Sequence, residues 1–226
     1  MVKAILFDLD NTLIDFYNFK TKCVDAAVKE MIKAGLKASR KKADRIIWKI
    51  YRKHGMEYPN IFQDLIREVS GKMDYRMLAH ALTAYRKERS KMLAPYPKVL
   101  QTLKKLKRNY KMALISDAPK NKVWMRLVFM KADNLFDVII TFDDTKKKKP
   151  DKLPFEMAVK RLKVKPLEIL MVGDSISKDM QGAKKLGMKT VLALYGRSIK
   201  PRKNPKSTDF MIKRIDEIFR ILKNLS

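Results

Sequence analysis

Cysteine is nearly missing: Cys23 stands alone in 226 residues, so no disulfide can close within the chain. That suits a reducing, cytoplasmic setting. Long hydrophobic runs are missing too, and none approaches the ~20 apolar residues that span a bilayer. The N-terminus enters a strand pattern directly, without the basic, apolar and small-residue order of a secretory signal. These absences predict a cytoplasmic chain with no membrane partner. Histidine occurs twice, at His54 and His80, and exposure or a favourable helix-end interaction is expected of them rather than catalysis. Acidic residues are scarce relative to basic ones, with 24 against 52 and a formal net charge of +28.

What is present is a globular composition, 46% hydrophobic, long enough for one large domain or a domain carrying an insertion. The positive charge would attract phosphorylated metabolites or nucleic acid. Lysines and arginines are spread over nearly every polar helix face, however, which reads as solvated surface.

The pattern of apolar residues divides the chain. Residues 2–8 read as a strand. From about 20 to 93 the period is helical. Thr21–Ala34 carries Val24, Ala27, Val28, Met31 and Ile32 on one stripe. Ser39, Asn60 and Asp74 are placed to cap three further helices, and Gly35, Gly55 and Gly71 follow helix ends. Four amphipathic helices with short connections predict a bundle. This predicts a helical domain over 16–92, inserted into a core made of 1–15 and 93–226.

After Pro95 and Pro97, helices at Val99–Leu106, Asn121–Met130, Pro154–Leu162 and Lys178–Leu186 alternate with strands. The strands are KMALI at 111–115, Val138–Thr141, ILMV at 169–172 and TVLAL at 190–194. A short strand at Asp209–Met211 and a helix near 213–222 finish the chain. The fold class is α/β, a Rossmann-like, mostly parallel sheet with helices on both faces. Trp48 and Trp124 fall among helical apolar residues and are expected in cores, as is Cys23.

Polar residues gather where strands stop. The first strand runs into Asp8, followed by Asp10 and Thr12. KMALI runs into Ser116 and Asp117, and ILMV into Gly173, Asp174 and Ser175, with Asp179 beyond. Lys149 precedes Pro150 in the loop after the strand at 138–141. In a parallel sheet all four groups reach one edge, the edge where ligands bind. Paired carboxylates this close repel and are costly to desolvate unless a cation lies between them. Asp8, Asp10 and Asp174 supply the hard oxygens that Mg²⁺ prefers. Ser116 and Lys149 supply a hydroxyl and a compact charge for phosphoryl oxygens.

DLDNT at 8–12, Ser116, Lys149 before Pro150, and GDSISKD at 173–179 resemble, in order and spacing, the four motifs of the haloacid dehalogenase superfamily. Residues 16–92 resemble its inserted helical cap. The resemblance implies that Asp8 is a nucleophile forming an aspartyl-phosphate. It implies Asp10 as the acid and base, and Mg²⁺ on Asp8, the Asp10 carbonyl and Asp174. Thr12, Ser116, Asp117 and Lys149 would hold phosphate, with Ser175 and Asp179 supporting. Asn11 stands where the family most often has glycine, and asparagine tolerates the left-handed backbone.

Because true dehalogenases of this superfamily lack the second aspartate, Asp10 points to a phosphatase acting on a small phosphomonoester. A phosphomutase would share all four motifs. A phosphonate-cleaving enzyme would need a Schiff-base lysine from the helical insertion, where Lys20 and Lys22 lie. A nucleic-acid-binding protein with a vestigial site is the reading from another class. A monomer is expected at this size, with the cap opening and closing over the substrate.

Overall fold

The computed structural model describes residues 1–92, 94–196 and 206–225. The chain divides into two compact units, Met1–Phe16 with Leu93–Ser226, and Tyr17–Met92.

The second unit is helical. It comprises α1 (Phe16–Lys33, whose first residue belongs to the other unit), α2 (Arg40–His54), α3 (Ile61–Ser70) and α4 (Tyr75–Met92). Val24, Ala27, Val28 and Met31 of α1 meet Ile47, Ile50, Phe62, Leu65, Ile66 and Ala81 in one core. Burying each of these side chains larger than alanine stabilises by about 1.5–3 kcal/mol. The expected caps divide. Ser39 accepts from Lys42 N at 3.2 Å and Asp74 from Met77 N at 3.0 Å. Asn60 makes no capping bond, because its backbone (φ −98°, ψ 22°) is not extended; its side chain instead accepts from Gln63 Nε2 at 3.4 Å. Trp48 is half-buried against this core and stacks on Tyr17, ring centroids 5.6 Å apart. The first helix starts at Phe16, ahead of the expected Thr21, since nothing between the two breaks it.

The first unit is built on β1 (Ala4–Phe7), β2 (Lys111–Ile115), β3 (Val138–Ile140), β4 (Ile169–Gly173), β5 (Lys189–Ala193) and β6 (Phe210–Ile212). Among the described residues these form one sheet in the order β3-β2-β1-β4-β5-β6, every pair parallel. Its helices are α5 (Val99–Leu106), α6 (Lys120–Phe129), α7 (Phe142–Thr145), α8 (Lys152–Leu162), α9 (Gln181–Lys185) and α10 (Ile218–Lys223). Ala4, Leu6, Ala113, Ile115, Ile169 and Met171 pack on Phe155, Ala158 and Leu162 of α8. The residues between them, Ile5, Phe7, Met112, Leu114, Leu170 and Val172, are buried as well. Both faces of the sheet are therefore covered, which is why its strands read as continuous apolar runs. Strand order reverses at β1, whose neighbours are β2 and β4, so the crevice at the carboxyl end of β1 is the topological switch point.

Three features depart from the sequence reading. Trp124 is 42% exposed on α6, beside exposed Val128 and Phe129, and is not a core residue; the apolar run there covers more than one helix face. The helix expected over 178–186 is a wide π turn, Ile176–Met180, followed by the short α9. The short α7 arises from a reciprocal cap between Thr141 and Asp144, a local signal overlooked in the sequence.

Candidate active site

Asp8 directly follows β1, and its N–H donates to Val172 O at 2.9 Å, extending the sheet by one residue. The chain then coils, with Leu13 N donating to Leu9 O at 2.9 Å and Asn11 N to Ile14 O at 2.7 Å. Asn11 has φ +62°, in the left-handed region that the sequence reading assigned to it. The coil returns Thr12 to Asp8, where Thr12 Oγ1 donates to Asp8 Oδ2 at 2.8 Å. Tyr195, past the end of β5, donates to Thr12 O at 2.9 Å and ties this loop to the end of β5, two strands away.

Lys149 organises the centre. Its ammonium donates to Asp8 Oδ1 at 2.5 Å, to Asp179 Oδ1 at 2.6 Å and to Ile115 O at 3.3 Å. Burial works against the ammonium, but Asp179 and Asp8 outweigh it and raise the Lys149 pKa. Burial also lifts Asp179 above the usual carboxylate range, against the pull of Lys149. Asp179 Oδ2 accepts from Ser175 N at 3.0 Å. Gly173 makes this possible: a Cβ there would overlap the Asp179 carboxylate.

The remaining residues close the rim. Ser116 N donates to Ile140 O at 2.9 Å and its Oγ accepts from Ala118 N at 3.2 Å. Asp117 accepts from the Lys149 backbone N–H at 2.9 Å through one oxygen and from Lys178 Nζ at 3.0 Å through the other. Its carboxylate therefore links three loops. Asp8, Asp174 and Asp179 each offer a carboxylate oxygen, all within 4.8 Å of one another. Such hard donors fit a divalent cation of the Mg²⁺ or Ca²⁺ type. The Asp10 carboxylate is not one of these three: its Oδ2 accepts from Arg126 Nη1 of α6 at 2.7 Å. Arg126 and Lys178 have no sequence signal of their own: one falls in an apolar helix stripe, and the other among the 52 basic residues of the chain. In the helical unit, Lys20 is buried between the rings of Tyr51 and Tyr85, 5.4 and 5.3 Å from their centroids. His54 and His80 are exposed.

The first, second and fourth strands bring carboxylates, a serine and an aspartate to one sheet edge, where a buried lysine bridges Asp8 and Asp179; groups of these kinds can neutralise the charge of a phosphoryl group. Residues 5–193 match the haloacid dehalogenase-like hydrolase family. The chain is 35% identical over 226 residues to the glyceraldehyde 3-phosphate phosphatase of Methanocaldococcus jannaschii, covering 100% of this chain and 99% of that protein. It is 31% identical to pyrophosphatase PpaX of Bacillus cereus over 71% of this chain and 76% of that one. Among solved structures, a phosphatase from Thermococcus onnurineus superposes with a TM-score of 0.69 at 27% identity, over 98% of each chain. The chain belongs to the haloacid dehalogenase-like hydrolases, and within them it is a phosphoric monoester hydrolase.

Proposed function

We propose that the chain hydrolyses a triose phosphate, glyceraldehyde 3-phosphate in particular, through a phosphorylated Asp8. The observation that carries the reading is the Lys149 ammonium bridging Asp8 and Asp179 at 2.5 and 2.6 Å, beside the Asp174 carboxylate. An oxygen of Asp8 attacks phosphorus, and the bond to the leaving oxygen breaks as Asp10 gives that oxygen its proton. Water, deprotonated by Asp10, then attacks the aspartyl-phosphate, releasing inorganic phosphate and restoring Asp8. Lys149, Ser116 and Thr12 hold the nonbridging oxygens or the carboxylates that face them, and Asp117 fixes the Lys149 loop. Asp8, the Asp10 carbonyl and Asp174 would hold Mg²⁺, with Ser175 and Asp179 in support. Bound there, the ion supplies Lewis-acid neutralisation of phosphoryl charge.

The substrate assignment is supported by a relative of that activity matching the chain end to end. A pyrophosphatase relative favours a second substrate, inorganic pyrophosphate. Phosphate release from both compounds, with and without Mg²⁺ after chelator treatment, separates the two. Higher kcat/KM on pyrophosphate would replace the triose phosphate. A salt-sensitive shift of DNA or RNA without any phosphate release would favour the nucleic-acid reading. A cytoplasmic location accords with the lone buried thiol of Cys23, which burial raises to about 11.

A further inference from the structure

Arg126 projects from α6 and is buried, a costly place for a guanidinium. Two of its contacts tie it to the loop after β1. Its Nη1 donates to Asp10 Oδ2 at 2.7 Å, and its guanidinium carbon lies 4.2 Å from the centroid of the Phe16 ring. Asp10 lies in the loop that carries Asp8, and Phe16 begins the helix directly after it. The aromatic face fixes the plane of the guanidinium, and the ion pair passes that orientation to the carboxylate. Side chains held by packing in this way place a reacting group within fractions of an ångström. A surface pair would not need such burial, and Arg126 has no exposed function to serve.

We propose that Arg126 is a positioning residue for Asp10, setting the carboxyl group where it can reach the leaving oxygen. It touches neither substrate nor metal. The proposal rests on the role of Asp10 stated above. It has a distinctive consequence, because an alkoxide needs a proton to leave and p-nitrophenolate does not. Loss of acid positioning should therefore depend on the leaving group. A general structural defect, or a lost contact to phosphate, should affect both substrates alike.

The experiment compares kcat/KM for glyceraldehyde 3-phosphate and p-nitrophenyl phosphate in wild type, Asp10→Asn, Arg126→Met and Arg126→Lys. Both substrates share the phosphorylation step that kcat/KM reports. The expected result for Arg126→Met is a fall of roughly 10- to 100-fold on the alkyl phosphate, the scale of a misplaced catalytic group. On the aryl phosphate the fall should be less than about threefold on the same scale. Arg126→Lys keeps the charge and loses the plane, so it should show the same selectivity with a smaller factor. Should Arg126→Met not fold, that selectivity in Arg126→Lys carries the test. Equal losses on both substrates, or none, in variants that melt as wild type does would overturn the proposal. Asp10→Asn distinguishes the levels. If it is selective and the Arg126 variants are not, Arg126 fails alone. If it is itself unselective, the acid role of Asp10 fails and takes the proposal with it.

Discussion

Lys149 and Asp179 form an ion pair whose side chains are 3% and 1% exposed, with the ammonium 2.6 Å from the carboxylate. Asp8 shares the same ammonium at 2.5 Å. One cation thus neutralises two carboxylates in a water-poor place, and removing it leaves both uncompensated. Lys149→Met should lower stability by about 3–5 kcal/mol, the cost of breaking a buried pair from one side. It should also lose turnover. Urea unfolding monitored by circular dichroism measures the first, and a change below about 1 kcal/mol would mean the pair is solvent-screened.

Asp8→Asn keeps the shape of the side chain and can still accept from Thr12, so the fold should persist. Turnover should fall on the order of 10⁴-fold or more, as when a nucleophile is removed elsewhere. The check is first-turnover release of the alcohol and steady-state release of phosphate on a variant with an unchanged melting curve. Near-normal rates would assign the nucleophile to another residue.

Asp117 was assigned to phosphate, and its carboxylate is engaged with Lys149 N and Lys178 Nζ. Asp117→Ala should therefore loosen the loop that presents Lys149, costing about 1.5–3 kcal/mol for a charge-assisted bond to backbone. Phosphate-analogue affinity should drop with it. Lys178 is half exposed, so Lys178→Ala should change stability by less than about 1 kcal/mol. Equal effects from the two variants would place the function of Asp117 in the salt bridge instead.

Asp209 fastens β5 to β6, accepting from Thr190 N at 2.8 Å and from Lys184 Nζ at 2.6 Å. Burial opposes ionisation, but Lys184 and Thr190 prevail and hold its pKa below the ordinary 3.8. A depressed carboxylate contributes stability above its unfolded pKa and loses it as pH falls through the folded one. Asp209→Asn should therefore unfold at lower temperature than wild type at pH 7. The gap should close as pH drops below 3.8. Thermal melts across that range test it, and a gap independent of pH would assign the effect to packing.

The sequence determined the type and order of most elements, α7 and the π turn at Ile176–Met180 apart, because apolar period and caps are local properties of the chain. β2 ends where its pattern does and β1 and β4 within one residue of theirs, and Ser39, Asp74 and Asn11 behave as their side chains dictate. It also expected the groups around Asp8, Ser116, Lys149 and Asp174 at one edge, since parallel strands all stop there. Of the carboxylates it grouped as donors, Asp8 and Asp174 do lie together, with Asp179 rather than the Asp10 carboxylate as the third. What needed tertiary structure was pairing between distant side chains. Arg126 meets Asp10 across 116 residues, and no local pattern marks that arginine among 52 basic residues. Trp124 is exposed because α6 has only one face to bury, and a run of apolar residues does not say which. The three-way link through Asp117 likewise depends on loops that only the sheet order brings together. Local chemistry fixed where reactive groups stand along the chain, and only packing decided which of them hold one another in place.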